Sequence, residues 1–252
     1  MALYIGTSGN DIYDHENSSE PLAALGFEGD DIFNGGLKDD VLFGYEGDDF
    51  LFGNEGADVL FGMDDNDYLD GGEGNDYLNG GEGNDYLWGW NEDDYFDGGK
   101  GDDFVFGWYG NDYLNGGEGN DQLFGEADND TLIGVDSLAA NPGQGEIDVL
   151  VGGGGSDTFV LGDNQRKVYY QGGGHGLDDY AVIFDFEEGD SIQLYGNSES
   201  YQLLSGDYTH CGSALGSSND TLIFLGADPI GLVQGVEGSA LDLTNSNQFI
   251  YV

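Results

Sequence analysis

The chain of 252 residues sets 51 Asp and Glu against 4 Lys and Arg, a formal charge of −47. That balance argues against nucleic acid and anionic membranes as partners, and it calls for a cation to neutralise carboxylates that would otherwise repel. Its one cysteine, Cys211, makes no internal disulfide, and no apolar run reaches the roughly 18 to 20 residues of a membrane-spanning helix.

The opening Met1-Ala2-Leu3-Tyr4-Ile5-Gly6 lacks a basic start and a long apolar stretch, so no Sec-type signal peptide is expected. Gly6-Thr7-Ser8-Gly9-Asn10-Asp11-Ile12-Tyr13 has the form Gly-x-x-Gly-x-Asp followed by strand-forming residues. Residues 15–25 then break the pattern and read as a surface loop or small cap. From Gly26 a nine-residue unit runs without a change of phase: Gly-Gly-x-Gly-x-Asp, one residue, a large apolar residue, one residue. It is written twice in succession over residues 71–88, as GGEGNDYLN and GGEGNDYLW. The glycines allow backbone angles that a Cβ forbids, and Tyr77-Leu78-Asn79 alternates as a half-buried strand does. Six residues of turn and three of strand are expected per unit. A fixed period of this length points to a parallel β-helix.

The sixth-position aspartates are Asp31, Asp40, Asp49, Asp58, Asp67, Asp76, Asp85, Asp94, Asp103, Asp112, Asp121 and Asp130. The apolar residue comes two places later, as in Phe33, Leu51, Leu78, Phe96 and Leu132. Residues 135–145, with Asn141-Pro142-Gly143, read as a loop bulging from one coil. Asp148 returns in phase and Asp157 closes the array. After Asp163 the period is lost. The runs 167–171, 180–186, 191–195, 221–225 and 248–252 read as a different kind of β-structure packed on the last coil. No segment shows helical periodicity. The expected division is 1–160 for the repeats and 161–252 for a β-rich cap.

Each unit reverses the chain once, so two units make a coil and turns two repeats apart stack. That splits the aspartates into two columns. One holds Asp31, Asp49, Asp67, Asp85, Asp103 and Asp121. The other holds Asp40, Asp58, Asp76, Asp94, Asp112, Asp130 and Asp148. Neighbours in a column stand about 4.7–4.9 Å apart. Two such carboxylates repel, yet both reach a cation between their turns. Hard oxygen ligands in a flexible cage suit Ca²⁺ better than Mg²⁺. The candidate metal ligands are these aspartates with Asp148 and Asp157, an incomplete site being expected at Asp148 and at the isolated Asp11. Lys38, Asp65, Glu92 and Asp128 replace the fourth-position glycine. Lys38 should weaken binding around Asp40, and Glu92 fits its place less well than the aspartates do.

Residues 6–160 resemble the RTX, or hemolysin-type calcium-binding, repeat. The segment from Ile183-Phe184-Asp185-Phe186 to Gln193-Leu194 resembles the stretch on the C-terminal side of such arrays in secreted bacterial proteins. The resemblance implies a right-handed parallel β-roll (all-β), several Ca²⁺ ions each shared by two stacked turns, and type I secretion guided from the C-terminus.

Aromatic residues recur at the seventh position (Phe50, Tyr68, Tyr77, Tyr86, Tyr95, Phe104, Tyr113) and the ninth (Phe43, Phe52, Phe61, Trp88, Phe106, Phe124). They predict outward ladders that support the sheets or offer a face to sugars or partner chains. His15, His175 and His210 are scattered outside any His-Glu-x-x-His pattern, and no Gly-x-Ser-x-Gly elbow is present. The function expected is calcium binding by a secreted, non-catalytic roll. It would be disordered without the ion and folded with it, with a cell-surface, matrix or adhesion role, and with polysaccharide or self-association as further contacts. The alternative is a scaffold for a polysaccharide-binding, polysaccharide-modifying or hydrolytic enzyme. Asp178, Asp179, Asp185 and Asp190 either hold another ion or close turns.

Overall fold

A computed structural model describes residues 1–135, 146–161, 180–206, 220–225, 228–236 and 240–252. Each repeat forms one strand, and successive strands go to opposite sheets. Tyr77–Glu82 and Tyr95–Lys100 pair in the first sheet, Tyr68–Glu73 and Tyr86–Asn91 in the second. Pairing is parallel with two units between partners: Leu87 lies beside Leu69 on one side and Val105 on the other. Among the described residues the first sheet has 11 strands and the second 12. The molecule is a parallel β-roll.

The repeat strands are longer than expected. They run six residues, through Gly-Gly-x of the following unit, and only the fourth to sixth positions remain as turn. The strand bends at the second position, where Gly72 has φ +107 and Gly81 has φ +117. That bend turns the chain toward the other sheet while the ladder continues.

Position eight points inward from both sheets. Leu51, Leu69, Leu87, Val105 and Leu123 meet Leu60, Leu78, Phe96, Leu114 and Leu132 in one core, all fully buried. Each layer is only two side chains thick, so a truncation has few neighbours to collapse on it. Leu78→Ala is expected to cost about 2–5 kcal/mol. Urea unfolding at saturating Ca²⁺ should show this as a lower midpoint with an unchanged slope.

Outside, the ladders form as expected. Tyr77, Tyr95 and Tyr113 stack at 5.3 and 4.8 Å on the first sheet. Trp88, Phe106 and Phe124 stack at 4.5 and 4.7 Å on the second.

Two further expectations change. The break over 15–25 is shorter, because Leu22–Glu28 is a strand of the first sheet and Leu22 and Ala24 are fully buried. The alternating Leu22-Ala23-Ala24-Leu25 suffices for a strand although no glycine turn precedes it. The tail is not a different structure stacked on the last coil. Tyr180–Ile183, Ser191–Leu194 and Phe249–Tyr251 extend the two sheets by parallel pairing. Among the described residues, antiparallel pairing appears only where Tyr201–Gly206, Asp220–Leu225 and Asp228–Val233 join at the edge of the second sheet. They lie beyond Tyr180–Ile183 and cover the edge that it would otherwise leave open. Most of the loop expected over 135–145, and the run 167–171, lie outside the described residues.

Candidate metal centre

Two opposed ladders hold the turns in register. At position six, each aspartate's Oδ1 accepts the backbone N–H of the aspartate one coil earlier, as Asp85 Oδ1 does from Asp67 at 2.8 Å and Asp94 Oδ1 from Asp76 at 2.8 Å; at the start of its column Asp40 accepts from Leu22 instead. At position five the direction reverses. Asn84 donates its N–H to Asn66 Oδ1 at 2.9 Å, and Asp102 donates to Asn84 Oδ1 at 2.7 Å. Every such turn is thus stitched to the coil before it and the coil after it.

This leaves the second carboxylate oxygen. All the expected ligands are buried: Asp31, Asp40, Asp49, Asp58, Asp67, Asp76, Asp85, Asp94, Asp103, Asp112, Asp121, Asp130, Asp148 and Asp157. In all of these except Asp148, Oδ2 is buried and has no hydrogen-bond partner. A buried acceptor without a donor is costly, and here the same lack of donors recurs along both columns.

The surroundings of those oxygens fit a hard cation. A methyl group placed on Gly80 would overlap Asp85 Oδ2 and stand 2.6 Å from the carbonyl oxygen of Gly98 on the next coil. The same pairing recurs at Gly53 with Asp58 and the Gly71 carbonyl, and at Gly116 with Asp121 and the Gly134 carbonyl. A carboxylate oxygen and a backbone carbonyl oxygen therefore face one small space that only glycine leaves open. No group of three or more His, Cys, Asp or Glu side chains converges among the described residues. The donors are mixed carboxylate and peptide oxygens, the set that Ca²⁺ accepts.

Burial sets the acidity. It pushes Asp67 and Asp94 up to about 9, and Asp76, Asp103 and Asp130 up to about 8, with neighbouring carboxylates adding to the rise. Asp121 is raised by burial and then by the adjacent Asp148. The backbone N–H each aspartate accepts pulls the other way and loses to desolvation.

The two columns form with one correction. Asp148 Oδ1 accepts the N–H of Asp121, and Asp157 Oδ1 accepts that of Asp130, each across 27 residues instead of 18. Asp148 thus joins the column of Asp31 to Asp121, and Asp157 takes the place above Asp130 that was expected for Asp148. One extra unit of chain preserves phase but moves the next aspartate to the opposite side.

Asp11 is not isolated: its N–H donates to Asp31 Oδ1 at 2.7 Å. Its own Oδ2 accepts the Thr7 N–H at 2.6 Å, which holds its pKa below the usual carboxylate range. Asp190 continues the other column, with Oδ1 accepting from Asp157 and Oδ2 from Glu187 N–H at 2.7 Å. Both residues close turns with an oxygen that the array leaves bare. Asp185 likewise accepts from the Gly152 and Gly153 N–H groups. Asp178, Asp179, His175, His210 and Cys211 lie outside the described residues.

At the fourth position Asp65, Glu92 and Asp128 all adopt left-handed angles, and Glu92 is steadied by accepting the Gly74 N–H at 3.0 Å. Lys38 does not adopt them, and its side chain is exposed. Sequence reasoning missed the second position, where Phe27, Tyr45, Met63, Trp90 and Trp108 are left-handed too.

The family model of the RTX calcium-binding nonapeptide repeat (4 copies) matches residues 25–135 in overlapping stretches and residues 143–164. No curated protein matches. Among solved structures, the chain is similar to the extracellular lipase LipA from Serratia marcescens at 17% identity and a TM-score of 0.38. The match covers 94% of this chain and 41% of the lipase chain, so the chain spans less than half of that protein's length.

Proposed function

Because the chain belongs to the RTX calcium-binding nonapeptide repeat family, whose repeats bind several Ca²⁺ ions, we propose that it is a secreted, non-catalytic roll that leaves the cell unfolded and folds on meeting extracellular Ca²⁺. The observation that carries this reading is the row of buried Oδ2 atoms without donors, most of which share their space with a backbone carbonyl oxygen, as those of Asp58, Asp85 and Asp121 do. Asp31 to Asp130, with Asp148 and Asp157, are the residues that would hold the ions. Ca²⁺ supplies the positive charge that a chain of formal charge −47 lacks. The chain's own part is to bring the carboxylates into columns, exclude water from them and align the peptide oxygens. Without the ion, the columns repel and the two-residue-thick core does not offset that repulsion. Folding and binding are then one event. Residues 1–160 act as the roll and 161–252 as the cap, with export directed from the cap. No helix among the described residues is long and apolar enough to cross a membrane. The role we assign is in a surface coat, adhesion or matrix.

Titration of the chelated protein with Ca²⁺, followed by far-UV circular dichroism and hydrodynamic radius, tests this. A cooperative gain of β signal with compaction is expected at roughly 10⁻⁴ to 10⁻³ M Ca²⁺, and none with Mg²⁺. A chain already compact and β-rich at neutral pH without metal overturns it. Turnover of a polysaccharide by the Ca²⁺-loaded chain overturns the non-catalytic part alone.

A further inference from the structure

On the second sheet the second position of the unit reads Gly36, Asn54, Gly72, Trp90 and Trp108 along successive coils. Trp90 and Trp108 stack at 5.3 Å with planes 8° apart, so the ladder covers one face of the Trp90 indole. The neighbour on the other side is Gly72, which pairs with Trp90 and carries no side chain. The ladder stops there, and the ring remains 38% exposed. Its open side lines a groove of about 560 Å³ that Gly72, Asn54, Asp70, Glu55 and Glu73 also line. That volume falls within the roughly 300–1,000 Å³ of small-molecule sites.

The groove has the dimensions of one missing rung. Trp90 and Asn54 stand two strands apart, about 9–10 Å at ordinary strand spacing. A single ring fits between them at contact distances of about 3.5–4.0 Å on each side. Asp70 lies beside the Trp90 indole and the Tyr68 hydroxyl, and burial raises its pKa while those two groups pull it down. The indole keeps its orientation at φ +80, an angle a bulky residue rarely adopts. The polar lining is carboxylate and amide, and no Lys or Arg belongs to it.

An apolar plate beside acceptor-rich, acidic edges suits a ring with one apolar face and a polar rim that bears no negative charge. We infer that the groove binds a pyranose ring of a neutral or amine-bearing polysaccharide, stacked on the free face of Trp90 with its hydroxyl or ammonium groups held by Asp70, Glu73 and Asn54. Uronate and sulfated chains are repelled by the carboxylate rim. The inference rests on the reading of the chain as a calcium-loaded roll outside the cell.

The test is calorimetry and tryptophan fluorescence on the full chain in Ca²⁺, with cellohexaose, a chitosan hexamer and oligogalacturonate as probes. The neutral or the amine-bearing oligomer is expected to bind, and oligogalacturonate is not. Trp90→Gly should weaken binding at least about tenfold, or 1.4 kcal/mol. Glycine already serves this position at Gly72 and Gly99 with positive φ, so that variant relieves backbone strain and folds. Tyr45→Gly, which removes the corresponding ring from the opposite sheet, should leave binding unchanged. Failure of both the neutral and the amine-bearing oligomer to bind overturns the inference, as does equal affinity for oligogalacturonate or wild-type affinity in Trp90→Gly. Circular dichroism of the same samples separates the two readings. β signal in Ca²⁺ without sugar binding removes only the groove, whereas absence of β signal removes the calcium reading beneath it.

Discussion

Gly80→Ala is expected to lose one calcium position and to raise the Ca²⁺ midpoint of folding by about tenfold, the equivalent of 1.4 kcal/mol. The backbone is not the obstacle, since Gly80 lies outside the positive-φ region. Space is the obstacle: the added methyl would overlap Asp85 Oδ2 and crowd the Gly98 carbonyl oxygen, the two oxygens that face the ion's place. The sequence carries the same distinction. Position one is glycine in every unit from Gly26 to Gly125, whereas position two, which does need positive φ, accepts Phe27, Tyr45, Met63, Trp90 and Trp108. A residue kept at glycine without a conformational need is kept for room. In a stacked array each coil touches only its neighbours, so a central defect interrupts propagation in both directions. Ion counting by equilibrium dialysis, with the dichroism midpoint, reads both effects. Asn75→Ala, an exposed change in a neighbouring turn, is the control. An unchanged ion count and midpoint in Gly80→Ala would place the cation elsewhere.

What could be read from the sequence is what repeats locally. Leu78 and Asp76 occupy fixed places in a nine-residue unit, so their burial and their column come from counting. Counting fails where the count itself is ambiguous. Asp148 stays in phase with Asp130, but phase does not say whether an odd number of units has been taken up inside one coil, and the column expected for it is the wrong one for that reason. It fails again where one residue departs from the unit without breaking it. Trp90 reads as a substituted glycine, and nothing in the spacing says that its indole is the last rung before an open groove. The tail strands escaped for a third reason. Ser191–Leu194 alternates as any half-buried strand does, so its parallel partner is decided by the open edge it meets.

In the absence of calcium, acid is expected to build the roll that calcium builds. Burial raises Asp67 and Asp94 to about 9 and Asp76, Asp103 and Asp130 to about 8 in the rolled chain, whereas in an unfolded chain an aspartate titrates near about 3.9. Between these values the roll binds more protons than the unfolded chain, so its stability falls as pH rises. The contribution is complete below about pH 4 and is lost through the folded values of about 8 to 9. A chelated sample brought from about pH 9 to about pH 4.5 should therefore gain β signal and contract. The protons and the cation then compete for the same oxygens, which a pH-stat can track. Calcium added at about pH 5 to the acid-built roll should release protons as the carboxyls ionise. The same addition at about pH 8 meets an unfolded chain whose aspartates are already ionised, and it should fold the chain while releasing almost none. Proton release that does not differ between the two conditions, or a chelated chain that stays unfolded in acid, would mean that desolvated aspartates are not what keeps the metal-free chain open.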